Sequence, residues 1–129
     1  MDTQEIDLEE FKLALSNGLV NITIDDKQQP KHQLTPNWRN QVKQAIKTGG
    51  NPKGRLFKSV DPQEIVEKYG GTGTMRCYKG NLCVDEFVSL PYDVGVSFSR
   101  KAGKYVKTRR VQIKYNQAGV HVFPVLEKE

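Results

Sequence analysis

The chain has 129 residues, is 36% hydrophobic and 27% charged, and carries a formal net charge of +5. That length suits one domain with a single core plus an appendage and is too short for two comfortable domains. No run approaches the roughly 20 apolar residues of a membrane span, and the acidic opening MDTQEIDLEE is unlike the basic start of a signal peptide, so the chain is expected to be cytoplasmic or delivered by other means, with no membrane span.

The charge is unevenly spread. Residues 1–29 hold two lysines against seven carboxylates, a net of −5, so the remainder carries 18 basic against 8 acidic residues, or +10. Between Ser97 and Tyr115 stand seven Lys or Arg and no carboxylate. Such a field attracts polyanions, although a solvated strand surface kept soluble by lysine reads similarly. Cys77 and Cys83 flank Lys79-Gly80-Asn81 and could face each other across a tight hairpin within disulfide reach, although two cysteines without a secretion signal are more often free thiols. No His/Cys cluster has metal-ligand spacing, so neither a metal nor another cofactor is expected.

In chain order, Asp7–Asn17 predicts a helix, with Asp7 and Glu10 spaced as a capping box, Leu8, Phe11 and Leu15 on one stripe, and Gly18 at the stop. Leu19–Ile24 alternates as a strand does. Residues 1–29 are therefore expected as an acidic helix-strand arm, and 30–129 as the main domain. Lys31-His32 follows Pro30 in a loop. Thr35-Pro36 opens a second helix with Trp38, Val42, Ala45 and Ile46 as its buried stripe and Arg39, Lys43 and Lys47 on another side. Thr48–Arg55 is a cationic glycine-rich loop without the order of a nucleotide-cradling P-loop. A third helix runs from Asp61 to Tyr69, capped by Asp61 and ended by Gly70-Gly71.

Gly71-Thr72-Gly73-Thr74-Met75-Arg76 offers backbone N–H groups, hydroxyls and a guanidinium suited to an anionic oxygen, while a plain loop entering a strand would look alike. Met75–Tyr78 and Leu82–Ser89 predict a hairpin about Gly80-Asn81, and Val94–Phe98 a further strand. Lys104–Val125 then predicts two long strands joined at Asn116–Gly119. Val111, Ile113 and Tyr115 point to one face, and Thr108, Arg110, Gln112 and Lys114 to the other, a cationic shelf. With the four turn residues in the loop, Lys114 faces His121 and the imidazole joins the shelf; a three-residue loop would turn it away. The order predicts an α+β fold, with early helices packed on one face of an antiparallel sheet of about five strands.

A basic surface with two histidines and no metal cluster matches RNA cleavage by transesterification. The 2′-hydroxyl is the nucleophile, and the protein supplies a base, an acid and cations around the transition state. His32 and His121 suit the proton roles. Lys31, Lys114, Arg76 and Arg55 are candidate charge stabilisers, with Thr108, Thr72 and Thr74 as donors to phosphate oxygens and Lys107 and Arg110 as further RNA contacts. A lone strand histidine is, however, more often structural than catalytic.

From Pro30 onward the chain resembles the bacterial polymorphic toxin type 50 domain, a predicted RNase toxin of the Barnase-EndoU-ColicinE5/D-RelE superfamily. The residues that carry the resemblance are Lys31-His32, Pro52-Lys53-Gly54-Arg55, Asp61-Pro62-Gln63-Glu64, Gly71–Thr74 with Arg76, and Thr108, Tyr115, Gly119, His121 and Pro124. It implies a barnase-like fold and metal-independent endoribonuclease activity with His32, His121, Lys31, Thr108 and Lys114 in the catalytic set. RNA is the implied substrate, and an acidic immunity protein an expected partner. The chain departs from the pattern in inserting Gln33–Asn51 and in placing Lys114 where a histidine stands. The competing expectations are a non-catalytic nucleic-acid-binding module and an adaptor whose toxin-like core is inactive.

Overall fold

A computed structural model describes residues 7–34, 38–49, 53–77 and 84–127. Its elements are α1 (Leu8–Ser16), a 3-10 turn (Gln29–His32), α2 (Trp38–Lys47), β1 (Arg55–Leu56), α3 (Pro62–Tyr69), β2 (Thr74–Arg76), β3 (Val84–Ser89), β4 (Gly95–Ser99), β5 (Lys104–Thr108), β6 (Arg110–Asn116) and β7 (Gly119–Val125). The strands form two antiparallel sheets, β2-β3-β6-β7 and β1-β4-β5.

The α+β layout is as expected, but the single sheet of about five strands is replaced by seven strands in two sheets. The stretch expected as one long strand from Lys104 breaks at Arg109. There the buried Thr108 hydroxyl donates to the Val125 carbonyl (2.7 Å) and accepts from the Arg110 amide (3.1 Å), turning the chain from the second sheet into the first. Leu90 N–H takes the Arg109 carbonyl at 2.8 Å, so the corner spends no backbone group unpaired. No glycine or proline marks it, which is why strand periodicity runs straight through.

The final hairpin has the register that puts His121 opposite Lys114 and Tyr115 opposite Val120, although Asn116 and Gly119 pair as well and leave a two-residue turn at Gln117-Ala118. Gly119 sits at φ 129°, where a side chain is strained. Alternation then sorts the four-stranded sheet. One face carries Met75, Val84, Val88, Val111, Ile113, Tyr115, Val120 and Val122, all buried. Fully burying an aliphatic side chain of this size contributes roughly 1.5–3 kcal/mol, so this face is the core.

Two of the three helices cover that face. Asp7 caps α1 by accepting from the Glu9 and Glu10 amides, and Phe11 meets the Tyr115 ring edge-on at 5.3 Å. Asp61 caps α3, which buries Ile65 and Val66. α2 lies elsewhere: Trp38 meets Tyr105 of β5 at 5.3 Å, and Ile46 is 52% exposed, so the expected buried stripe is not all buried. Its start at Thr35-Pro36 and the turn at Gly80-Asn81 with Cys83 lie outside the described residues. Residues 19–24 do not form a strand. They make one parallel bridge, Ile24 to Val120, while Val20, Ile22 and Ile24 pack on the core. Gln63 of α3 secures them, donating to the Ile22 carbonyl and accepting from the Ile24 amide, each at 2.9 Å.

Candidate functional site

β7 is an edge strand of the four-stranded sheet, and the chain covers that edge with its own earlier segment. Val120 exchanges hydrogen bonds with the Thr23 carbonyl (2.9 Å) and the Asp25 amide (2.7 Å). One strand step further, the Gln29 side chain does what a backbone would: its Oε1 accepts from Val122 N–H and its Nε2 donates to the Val122 carbonyl, both at 2.8 Å. The 3-10 turn that starts at Gln29 therefore lies against β7, and Lys31 and His32 with it.

The loop before β1 closes the other side. Gly54 approaches β7 so tightly that a Cβ there would stand 2.1 Å from the Pro124 carbonyl oxygen. Arg55, expected on the RNA surface, is instead 5% exposed and donates from Nη1 to the Gln33 carbonyl at 3.0 Å, while Leu34 N–H bonds the Leu56 carbonyl. The Gly54-Arg55 turn thus buttresses the Lys31-His32 turn from within.

These constraints bring the two histidines together from distant parts of the chain. Their rings stack at 5.5 Å between centroids with planes 4° apart, and Phe123 stacks on both, at 4.6 Å from His32 and 5.6 Å from His121. They line a cleft of about 360 Å³ with Lys31, Lys53, Gly54, Ser97, Lys114, Phe123, Pro124 and Val125. His32 is 4% exposed and His121 8%. By hydrogen-bond geometry neither ring nitrogen of His32 nor Nδ1 of His121 has a close protein partner, although the Gly54 backbone lies near enough to His32 to pull its pKa upward against the larger effect of burial. A buried nitrogen left without a bond costs about 1–3 kcal/mol.

Burial, then His121 and Lys31, drive the His32 pKa from 6.5 down to about 3. His121 is lowered as well, by burial and then by Lys31 and Lys114, against an upward pull from Asp25 and Asp85. Burial, Lys53 and Lys114 lower Lys31, whose Nζ donates to Gln28 Oε1 at 2.6 Å. The site is thus a positive cleft around two neutral imidazoles.

One acidic residue belongs to it. Arg76, Asp85, Lys114 and His121 form a single cross-strand row over the polar face. Asp85 is 1% exposed, with an oxygen 4.0 Å from Lys114 Nζ. A carboxylate at an alternating strand position gives no sign in sequence that its face is the functional one, and Asp85 was not foreseen; nor were Lys53, Phe123 or the clamp at Gln29.

The remaining expected site residues stand apart. Thr108 is 1% exposed and its hydroxyl is committed to the sheet corner, so it does not reach the cleft. The Thr72 hydroxyl donates to the Tyr69 carbonyl at 2.6 Å. The glycine-rich loop around it does bind an anion, but the anion is internal: Glu86, wholly buried, accepts from the Gly71 and Gly73 amides at 2.9 and 2.7 Å and from the Tyr115 hydroxyl at 2.7 Å. Thr74, Arg76 and Arg110 line a second cleft, and Lys107 a third. A larger cleft of about 580 Å³, bordered by Thr23, Ile24, Asp26, Gln29, Pro30, Gln33 and the start of α3, has no cationic lining.

A family model for bacterial toxin 50 matches residues 24–124, a span that includes both histidines, every lysine of the cleft and the Gln29 clamp. The chain belongs to the bacterial toxin 50 family. No curated protein and no solved structure gives a significant match. The matched span of this toxin domain opens at the residue that bridges β7 and closes on Pro124, at the wall of the cleft. Among the described residues no helix is long and apolar enough to cross a membrane, and no three His, Cys, Asp or Glu side chains gather as a metal site would require.

Proposed function

We propose that this toxin domain is an endoribonuclease that cleaves RNA by transesterification at the paired imidazoles. The observation that carries the reading is the stacked His32–His121 pair, with orphaned ring nitrogens, inside a cleft flanked by Lys31, Lys53 and Lys114. His32, neutral down to about pH 3, is the base that takes the 2′-hydroxyl proton. The freed oxygen attacks phosphorus and the P–O5′ bond breaks. His121, whose pKa burial and then Lys31 and Lys114 lower against a weaker upward pull from Asp25 and Asp85, delivers a proton to the departing 5′-oxygen once the substrate phosphate offsets the two lysines. The three lysines stabilise the extra charge on the phosphorane-like transition state. The product is a 2′,3′-cyclic phosphate and a 5′-hydroxyl. An acidic inhibitor protein fits the same cleft by charge complementarity.

The test is incubation of the purified protein with total RNA in chelator, followed by end-group analysis. His32→Phe, which keeps a ring in the stack, and His121→Gln are both expected to abolish cyclic-phosphate fragments. Cleavage by either variant at the wild-type rate sinks the mechanism. A non-catalytic RNA-binding module is the second reading, favoured by the depth at which the His32 nitrogens lie. It predicts salt-dependent retention of intact RNA.

A further inference from the structure

The polar face of the four-stranded sheet carries a second feature, removed from the imidazoles. Phe87 of β3 has a guanidinium from the strand on either side: Arg76 of β2 lies 4.6 Å from the ring centroid, and Arg110 of β6 lies 4.7 Å from it. The ring acts as a pedestal, because cation-π attraction fixes two flexible side chains that would otherwise lose rotamer freedom on meeting a ligand. Thr74, Ser89 and Glu127 complete a cleft of about 490 Å³ with them. Arg110 uses one of its five N–H donors on the Leu126 carbonyl at 3.4 Å, and Glu127 at the rim accepts from the Arg109 amide, which holds the one carboxylate of the cleft in a bond of its own.

We infer that this Arg76–Phe87–Arg110 cleft is a second RNA subsite, taking the backbone phosphate of a nucleotide beside the one that is cut. Two guanidinium groups held over one ring, with the Thr74 and Ser89 hydroxyls beside them, match the charge and shape of one phosphodiester. Position on the sheet sets the relation to the imidazoles. Phe87 shares its cross-strand row with Gln112 and Phe123, and His121 lies in the next row on that face, two strands from Phe87. Strand spacing and rise put the two clefts roughly 12 Å apart, too far for one phosphate to touch both and near enough for one chain. The identity of the polyanion rests on the proposed ribonuclease reading; the site itself rests on the geometry. An acidic protein segment is less well matched, since the cleft lies on the same sheet face as the imidazoles and continues the path of one extended strand of RNA.

The test uses the full chain, a fluorescent 2′-deoxy oligonucleotide that cannot be transesterified, and anisotropy titrations across salt concentrations. Arg76→Met with Arg110→Met is expected to weaken binding about 10- to 100-fold at low salt and to flatten the plot of log K against log salt by about 0.7 for each phosphate no longer neutralised. Arg76→Met alone, at an exposed position, is expected to show a smaller loss in the same direction without depending on the tolerance of half-buried Arg110. Unchanged affinity and slope in a folded double variant overturn the subsite. So does polyglutamate that binds the wild type as tightly as the oligonucleotide and loses affinity in the variant. If the slope flattens while the wild type cleaves no RNA, the subsite stands and the ribonuclease reading falls. If RNA is cleaved and the slope does not change, the reverse holds.

Discussion

Lowering the pH from 7 to 5 should destabilise the fold through His32. In the unfolded chain its imidazole takes a proton at its ordinary pKa of 6.5, whereas in the folded protein it does so only near 3. Between those values the unfolded state binds more protons, so stability falls as pH falls. The loss is about 2 kcal/mol between pH 7 and pH 5, and would approach roughly 5 kcal/mol below pH 3. With a urea slope of about 2 kcal/mol per molar, the first step moves the unfolding midpoint by roughly 1 M. The perturbation that isolates the group is His32→Phe, which keeps a ring stacked on His121 and Phe123 and removes the titration along with two orphaned nitrogens. Urea unfolding of both proteins at half-unit pH steps provides the comparison. The wild type should lose about 2 kcal/mol more than the variant over that interval. Parallel curves would refute the claim that His32 is held neutral by its surroundings.

The same shifts give a pH-rate profile. Base catalysis by His32 fails only near pH 3, and His121 gives up its proton below 6.5, so kcat/KM on a fluorogenic oligoribonucleotide should peak on the acid side of 6.5. Asp85→Asn should move the alkaline limb to lower pH and Lys114→Met to higher pH; a limb above 7 that ignores both substitutions contradicts the assignment. Gln29→Leu strips both bonds from Val122 and should cost about 2–4 kcal/mol, with faster amide exchange at Val122 as the local signature and native protection there as the disproof. Glu86→Gln turns an acceptor of three bonds into a group that presents N–H to N–H, and a loss of about 2–4 kcal/mol in thermal or urea unfolding is expected; an unchanged midpoint would show that the Gly71–Gly73 loop needs no internal anion.

The last hairpin was legible because two signals agreed, strict alternation from Arg110 to Tyr115 and turn formers at 116–119. Helix caps at Asp7 and Asp61 were legible for the same local reason. What escaped was decided by distant partners. β1 is two residues long and carries no period, so the second sheet was hidden. Arg55 was expected on the RNA surface and Glu86 was not singled out, yet both are buried in the service of nearby turns. The glycine-threonine loop was expected to meet an RNA phosphate, and its Gly71 and Gly73 amides donate instead to the protein's own Glu86. That His32 and His121 were both candidates followed from chemistry, but their meeting depends on a glutamine side chain standing in for a strand, which no spacing rule encodes.

That glutamine clamp also times assembly. Four of the cleft's lining residues come from 31–54 and six from 97–125, so its walls meet only after a loop of high contact order has closed. A nascent or unravelled chain in which β7 has not yet docked holds one imidazole in a solvated turn and the other on a free strand. Whatever this domain does to its target, it can begin only when folding is nearly finished.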